Sequence, residues 1–193
     1  AVIDETSGEI LIGAKAGSTT ITATFAGDDT YEEATAKYTL NVVDPNKTEV
    51  TFDFTDPSNF GYTEDRIDLN EGDKLTKDDF VLENVQNGQY ETKLNKQLLR
   101  IYSGANDSSK NGIVSLSAPA GFAINKIVFT DDGNSKVNNF TFSTGELNSI
   151  TKTWTGLATK LTMEVTTAQV FLKNMTVNLV KVENVTLNES EIN

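Results

Sequence analysis

Residues 50–54 read VTFDF, in which apolar Val50, Phe52 and Phe54 alternate with polar Thr51 and Asp53. Side chains of a β-strand point in turn to opposite faces of the sheet, so this rhythm predicts a strand with one buried face. The same rhythm returns in many later segments. The further strand candidates lie over residues 97–103, 112–117, 122–130, 137–143, 161–165 and 170–182.

Short polar turns separate these strand candidates. The turn clusters occupy residues 104–111, 131–135 and 145–149, and no long segment has the period of a helix. The sequence therefore predicts an all-β fold, an antiparallel β-sandwich of the jelly-roll or Greek-key kind. One helical turn is predicted over residues 75–80, where Thr76 would cap the turn and Asp79 would complete a capping box.

The long last strand contains a change of phase. Val170 and Leu172 share one parity, whereas Met175 and the apolar residues after it share the other. A β-bulge near Lys173 or Asn174 would reconcile the two halves. The alternative is a strand with both faces partly buried, and the sequence leaves the two readings open.

The first 44 residues show the same alternation, over residues 21–25 and 38–42. The stretch from residue 8 to residue 42, GEILIGAKAGSTTITATFAGDDTYEEATAKYTLNV, resembles the C-terminal part of a bacterial immunoglobulin-like domain. Because such a sandwich takes about 100 residues, the resemblance implies a partial Ig-like β-sandwich over residues 1–44. Its uncovered apolar faces need a partner, which an upstream continuation of the chain, the following module or a neighbouring molecule would supply. We expect the upstream continuation in the natural protein.

Residues 45–182 form a second predicted module. Its pieces TFDFTDPSNFGY, LRIYSG, GIVSLSAPAGFAINKIVFT, TWTG and TVNLV resemble a sandwich found beside Ig-like domains in surface proteins of anaerobic Gram-negative gut commensals. Those proteins are often described as adhesins, so the resemblance implies an exported, extracellular or outer-membrane-attached protein without established catalytic residues. Residues 183–193 resemble the first strand of a further Ig-like domain.

Charge and composition exclude several classes of function. The chain has 16 Lys and Arg against 28 Asp and Glu, a formal charge of −12, which disfavours nucleic acids and anionic membrane surfaces as partners. It has no Cys and no His, so thiol nucleophiles, Ser-His-Asp relays and the usual zinc sites have no residues to form them. No run approaches the roughly 20 apolar residues that span a bilayer, so no direct membrane insertion is expected.

Acidic residues offer candidates for catalysis and for calcium. The adjacent pairs are Asp28 with Asp29, Asp78 with Asp79, and Asp131 with Asp132. A glycoside hydrolase would need two such carboxyl groups opposed across a cleft, and calcium would need several oxygens converging in loop 106–109 or loop 131–134. With so many acidic residues, turn propensity and solvation account for these groups. The sequence predicts no catalytic residue, no metal and no cofactor.

Exposed aromatic rings are the remaining candidates for a site, because such rings offer an apolar face to sugars. Arg100 and Tyr102 share strand parity with Leu98, so they either line a groove or extend along the rim of the sheet. Trp154, the sole tryptophan, is expected in the core in preference to a binding platform. The candidate ligand-binding residues are Tyr62, Tyr90, Arg100, Tyr102 and Trp154, with Phe60 beside them.

Taken together, these patterns predict an adhesion or structural module of a cell surface that presents an interaction surface and is not an enzyme. Its expected partner is a host or bacterial surface protein or a glycan. The alternative is a carbohydrate-binding module of a protein that binds or degrades glycans. Two or more of the candidate aromatic residues exposed on one face would favour the alternative.

Overall fold

The structure, a computed structural model, describes residues 2–3, 10–11, 17–42, 48–134 and 136–182. The chain divides into two compact units, Ala1–Asn46 and Lys47–Asn193. The predicted strand over residues 183–193 lies outside the described residues. The strands are, in chain order, β1 (Val2–Ile3), β2 (Ile10–Leu11), β3 (Gly17–Phe25), β4 (Ala34–Val42), β5 (Glu49–Asp53), β6 (Arg66–Leu69), β7 (Lys74–Lys77), β8 (Phe80–Gln86), β9 (Thr92–Asn95), β10 (Leu99–Tyr102), β11 (Ile113–Ser117), β12 (Phe122–Asp131), β13 (Phe140–Phe142), β14 (Glu146–Asn148), β15 (Thr153–Ala158), β16 (Lys160–Val165) and β17 (Gln169–Lys181).

The first unit contains two antiparallel pairs, β1 with β2 and β3 with β4. In the turn between β3 and β4, Asp28 Oδ1 accepts hydrogen bonds from the backbone N–H groups of Thr30 and Tyr31, both at 2.8 Å. This member of a candidate acidic pair therefore stabilises a turn. Phe25, on the face that the sequence predicts to be apolar, is exposed.

The second unit is an antiparallel β-sandwich, so the predicted all-β fold is confirmed. Sheet I has the order β14-β15-β12-β17-β10-β9-β6, with β5 also paired to β17, and sheet II has the order β13-β16-β11-β8-β7. From β10 onward the chain passes repeatedly from one sheet to the other, as it does in jelly-roll and Greek-key sandwiches.

Aromatic side chains join the two sheets across the core. Phe52 of β5 meets Phe80 of β8 edge to face, with ring centroids 6.4 Å apart. Further along, Phe129 of β12 lies 6.0 Å from Phe142 of β13, and Phe142 lies 6.4 Å from Trp154 of β15. Such pairs add about 0.5–1.5 kcal/mol each to the free energy gained by burial alone.

A β-bulge in β17 at Lys173 confirms one of the two readings of the last strand. On one side of this residue Thr130 is paired with Asn174, and on the other Asp131 is paired with Leu172, so Lys173 has no opposite residue on β12. The bulge brings both apolar runs of β17 to the core face. It also marks the point where the other edge of β17 changes its partner from β10 to β5.

The first and last strands of the sandwich are neighbours. Glu49 of β5 is paired with Asn178 of β17, and Asp53 is paired with Asn174. The backbone N–H of Leu179 donates to the carbonyl of Thr48 at 2.8 Å. The chain therefore enters and leaves the sandwich at the same end.

The predicted helical turn over residues 75–80 is wrong. This segment is the hairpin between β7 and β8, and its two loop residues, Asp78 and Asp79, have φ values of 49° and 67°. Two left-handed residues form the type I′ turn that matches the twist of a hairpin, and aspartate tolerates this conformation better than most residues. Leu75 and Phe80 on either side are buried, as a strand pattern requires.

Two predicted strands begin later than expected. Residues 137–139 form a 3-10 turn, so β13 begins at Phe140. Residues 96 and 97 form the two-residue turn between β9 and β10, so β10 begins at Leu99. The remaining 3-10 turns are Pro57–Phe60 and Ser108–Lys110.

The β9–β10 turn is predicted to be strained. Lys96 and Gln97 have φ values of 53° and 61°, which only Gly, Asn and Asp adopt without appreciable cost. The double substitution Lys96→Asn/Gln97→Gly is expected to raise the free energy of unfolding by about 1–2 kcal/mol, measured by urea denaturation. The matched change Asp78→Asn/Asp79→Gly in the β7–β8 hairpin should raise the free energy of unfolding by less. Equal gains in the two turns would contradict the prediction.

Candidate functional site

The outer face of sheet I carries a group of aromatic and basic side chains over β9, β10 and β17. Along β10, Leu99 and Ile101 point into the core, which leaves Arg100 and Tyr102 on the outer face. The strand pairings set Lys93, Arg100 and Phe171 directly opposite one another. The term aromatic–basic patch denotes these four outward residues together with the neighbouring Tyr90.

Three rings of the patch form a continuous contact. The rings of Phe171 and Tyr102 meet edge to face at 5.6 Å, and those of Tyr102 and Tyr90 do so at 5.2 Å. Phe171 is only 9% exposed, Tyr102 is half-buried and Tyr90 is 56% exposed. The inner rings therefore support Tyr90, whose own ring is open to solvent.

The loop that carries Tyr90 is anchored to the sandwich on both sides of this residue. Asn87 Oδ1 accepts hydrogen bonds from the side chain of the buried Asn84 at 2.9 Å and from the backbone N–H of Thr92 at 2.8 Å. Gly88 passes so close to β10 that an added Cβ would lie 2.0 Å from the carbonyl oxygen of Tyr102. The loop follows the sheet at this distance because residue 88 has no side chain.

Both arginines of the chain, Arg66 and Arg100, lie with Lys93 on the part of this face formed by β6, β9 and β10. Arg66 forms two hydrogen bonds with Asp68, at 3.0 and 2.9 Å, and this contact holds the pKa of the Asp68 carboxyl below its usual value. Lys93 Nζ lies 3.7 Å from carboxylate oxygens of both Asp68 and Glu91. These two cations are therefore compensated by neighbouring carboxylates.

Arg100 is held differently. Its guanidinium carbon lies 4.5 Å from the centre of the Phe171 ring, and its Nε donates to the carbonyl oxygen of Asn95 at 3.1 Å. Among the described residues, no carboxylate lies within ion-pair distance of Arg100. Its two terminal nitrogens therefore remain available for a ligand while its plane is fixed by the ring and the carbonyl.

The structure brings together three of the five predicted binding residues, Tyr90, Arg100 and Tyr102. Trp154 is fully buried, and its Nε1 donates to the carbonyl of Thr144 at 2.8 Å, which agrees with the predicted core position. Tyr62 is half-buried after the 3-10 turn Pro57–Phe60, and within the described residues its ring makes none of the ring contacts that join the patch.

Phe60 is also placed away from the patch. Its ring stacks on Phe54 at 5.7 Å, over the edge of the core, and is thereby only partly open to solvent. Leu98, which shares its parity with Arg100 and Tyr102, is buried beside the two-residue turn, where its backbone pairs with that of Asn95.

The acidic candidates of the second unit serve turns and ion pairs. Asp131 is buried, accepts a hydrogen bond from Lys152 Nζ at 2.6 Å and accepts another from the N–H of Gly133. Asp107 caps the turn Ser108–Lys110 through hydrogen bonds from Ser109, which lower its pKa. Within the described ranges, no group of three or more potential metal-ligating residues is found.

A polar cleft of about 790 Å³ lies near the β9–β10 turn. It contains two carboxyl groups, of Asp56 and Asp65, together with Lys96. Asp56 caps the turn Pro57–Phe60, and hydrogen bonds from Ser58 lower its pKa, which is the opposite of what a general acid requires. The cleft is lined by Thr55, Asp56, Pro57, Asp65, Asn95, Lys96 and Gln97.

Comparison of the chain with models of known protein families, with curated proteins and with solved structures finds no match. In the described part of the chain, none of the helical segments has the length and apolar character to span a bilayer. The fold and the site together define an antiparallel β-sandwich with an aromatic and basic outer face.

Proposed function

We propose that the chain belongs to an exported, multidomain surface protein and that its sandwich is an adhesion module that binds a glycan through the aromatic–basic patch. The observation that carries this proposal is the contact between the rings of Tyr90 and Tyr102 on the outer face of sheet I, beside Arg100 and Lys93. The placement at the cell surface rests on the sequence resemblance described above.

A sugar matches the chemistry of this face. Its ring presents an apolar C–H surface that packs on an aromatic ring, and its hydroxyl groups pair with charged and amide side chains around that ring. Tyr90 supplies the open ring, and Lys93 and Glu91 lie next to it with hydrogen-bonding groups. Because the Tyr90 ring contacts Tyr102, which itself packs on Phe171, little side-chain entropy is lost when a ligand covers Tyr90.

A binding role, in preference to catalysis, is supported by what the carboxylates do. Asp131 is tied to Lys152, Asp107 and Asp56 cap turns, and Asp68 is paired with Arg66. A glycosidase needs one carboxyl group that stays protonated near neutral pH, and the pKa of each of these four groups is lowered. We therefore propose that the module retains glycans without cleaving them.

Replacement of Tyr90 with alanine tests the proposal. The change is expected to weaken glycan binding by at least about fivefold, since stacking on an exposed ring contributes on the order of 1 kcal/mol or more. The measurement is a glycan array followed by titration calorimetry on each glycan bound by the unchanged chain. Thermal unfolding should be unaffected because the ring is largely exposed.

Tyr31→Ala is the matched control, because Tyr31 is 68% exposed in the β3–β4 turn of the other unit. This control should bind as the unchanged chain does. If Tyr90→Ala and Tyr31→Ala have equal effects, or if a protein partner binds and no glycan does, the glycan proposal is wrong.

A further inference from the structure

The geometry of Arg100 points to a specific ligand class: we propose that the glycan is acidic and that Arg100 binds the carboxylate of a uronic acid residue while Tyr90 packs on a sugar ring. This inference rests on the proposed function and names the chemistry of its ligand.

Arg100 is arranged in advance for a planar anion. The Phe171 ring supports one side of the guanidinium at 4.5 Å, and the hydrogen bond from Nε to the Asn95 carbonyl fixes its rotation. What remains are the terminal nitrogens, whose parallel N–H groups match the two oxygens of a carboxylate. Because the side chain is already ordered, most of the entropy that an arginine loses on binding has been lost before the ligand arrives.

The contrast with Arg66 shows that this availability is specific to one residue. Both arginines lie on the same face, yet Arg66 already holds the Asp68 carboxylate in the two-point geometry that a ligand would need. Arg100, within the part of the chain that is described, has no such partner. The chain has a formal charge of −12, so carboxylates are plentiful, yet this guanidinium is oriented without being paired to one of them in the described residues.

The local charge favours a single carboxylate over a polyanion. Among the described residues, the ion pairs at the patch join Arg66 and Lys93 to Asp68 and Glu91, and Arg100 takes part in none of them. At physiological salt the screening length is about 8 Å, so more distant acidic residues of the chain weigh little at short range. A nucleic acid or densely sulfated chain would bring more negative charge than this face can balance.

The test is calorimetric titration of the full 193-residue chain with oligosaccharides of galacturonate, of mannuronate and of hyaluronan, each compared with its carboxyl-reduced form. At least one acidic form is expected to bind at least about tenfold more tightly than its reduced form, as a charge-assisted hydrogen-bonded pair predicts. Arg100→Gln should remove this preference by weakening binding of the acidic form much more than binding of the reduced form.

Arg66→Gln is the matched control and should keep the preference within about twofold, because Arg66 already has its partner. Arg100→Lys keeps the charge and the packing of the stem but not the planar fork, and an intermediate loss is expected. It also replaces Arg100→Gln if that variant does not fold.

Three outcomes overturn the inference. Equal binding of acidic and reduced forms, with loss of both in Tyr90→Ala, would reject the uronic acid and leave the proposed glycan function standing. Competition by hexaglutamate at the same concentration as the acidic glycan would show that charge alone is recognised. Failure of every acidic form to bind rejects the inference, and the glycan array with Tyr90→Ala then decides the proposed function separately.

Discussion

Truncation of Trp154 to alanine is expected to lower the free energy of unfolding of the sandwich by about 3–5 kcal/mol. The indole is fully buried, lies 6.4 Å from the Phe142 ring and donates a hydrogen bond to Thr144. Alanine would leave a large cavity and an unpaired carbonyl. Chemical denaturation measures the change, and Leu157→Ala, an exposed position on the same strand, should shift stability by less than about 0.5 kcal/mol.

The packing around the indole allows a sharper test. A Cβ on Gly156 would lie 2.5 Å from an indole carbon, and one on Gly145 would lie 2.6 Å from another. Gly156→Ala is therefore expected to destabilise the sandwich by about 1–3 kcal/mol in the unchanged chain. In the Trp154→Leu background the same alanine should cost little, because the indole is no longer there. Equal costs in the two backgrounds would show that the glycine serves another purpose.

Substitution of Lys152 with methionine is expected to destabilise the protein by about 2 kcal/mol at neutral pH. The Asp131 side chain is buried and would lose the ammonium that lies 2.6 Å away. Breaking a fully buried pair costs about 3–5 kcal/mol, and the smaller figure reflects the 39% exposure of the Lys152 side chain to screening solvent. Methionine is unbranched, as lysine is, so the left-handed φ of 51° at this position adds no new strain.

The same pair gives stability a defined pH dependence. Burial raises the pKa of Asp131, but the hydrogen bond from Lys152, the N–H of Gly133 and the attraction of the ammonium outweigh it, so the net shift is downward. The folded state thus binds this proton less tightly than the unfolded chain, and the resulting stability is present above pH 3.8 and lost as pH falls through the lower folded-state pKa. In Lys152→Met the pKa of Asp131 loses its main lowering contributions while burial still raises it, so this acid-dependent loss of stability should become smaller or disappear.

Lys160→Met is the control for that prediction, because Lys160 forms a longer, more exposed contact of 4.0 Å with Glu83. Its effect on stability should be at most about 0.5 kcal/mol. Asp131→Asn added to Lys152→Met should recover part of the loss, since a neutral amide needs no counter-ion. If both lysine variants have the same stability across the acid range, the buried pair contributes nothing of its own.

Period-two patterns were a sound guide to the sandwich where strands are long and apolar on one face. In β17 they even located the bulge, because the parity of Leu172 and that of Met175 cannot both face the core without an extra residue between them. They failed over β6, β7 and β9, where strands of four residues such as RIDL and KLTK carry only one or two apolar side chains each. So short a pattern also fits a helical turn. The segment forms a hairpin because Asp78 and Asp79 adopt the left-handed backbone conformation of a two-residue turn.

The candidate site could be predicted only in part for a related reason. Tyr90, Arg100 and Tyr102 were recognisable as candidates from residue type and parity. Phe171 and Lys93 were missed, because they join the patch through the pairing of β10 with β17 and with β9. The register of that pairing cannot be predicted from the sequence of one strand alone. The sequence does indicate that Leu94 points to the core and Arg100 away from it. This information identifies the patch only once the strands that pair with β10 are known.

The adjacency of β5 and β17 bears on how this module would respond to mechanical load. Both flanking segments leave from the same end, beside Thr48 and Leu179, so tension along the chain would act on the last hydrogen bonds of one antiparallel pair and peel them open in sequence. Strands pulled from opposite ends would instead share the load across all their bonds at once. Under such a pull the hydrogen bonds between β5 and β17 would break one at a time, so the sandwich would begin to unfold at low force.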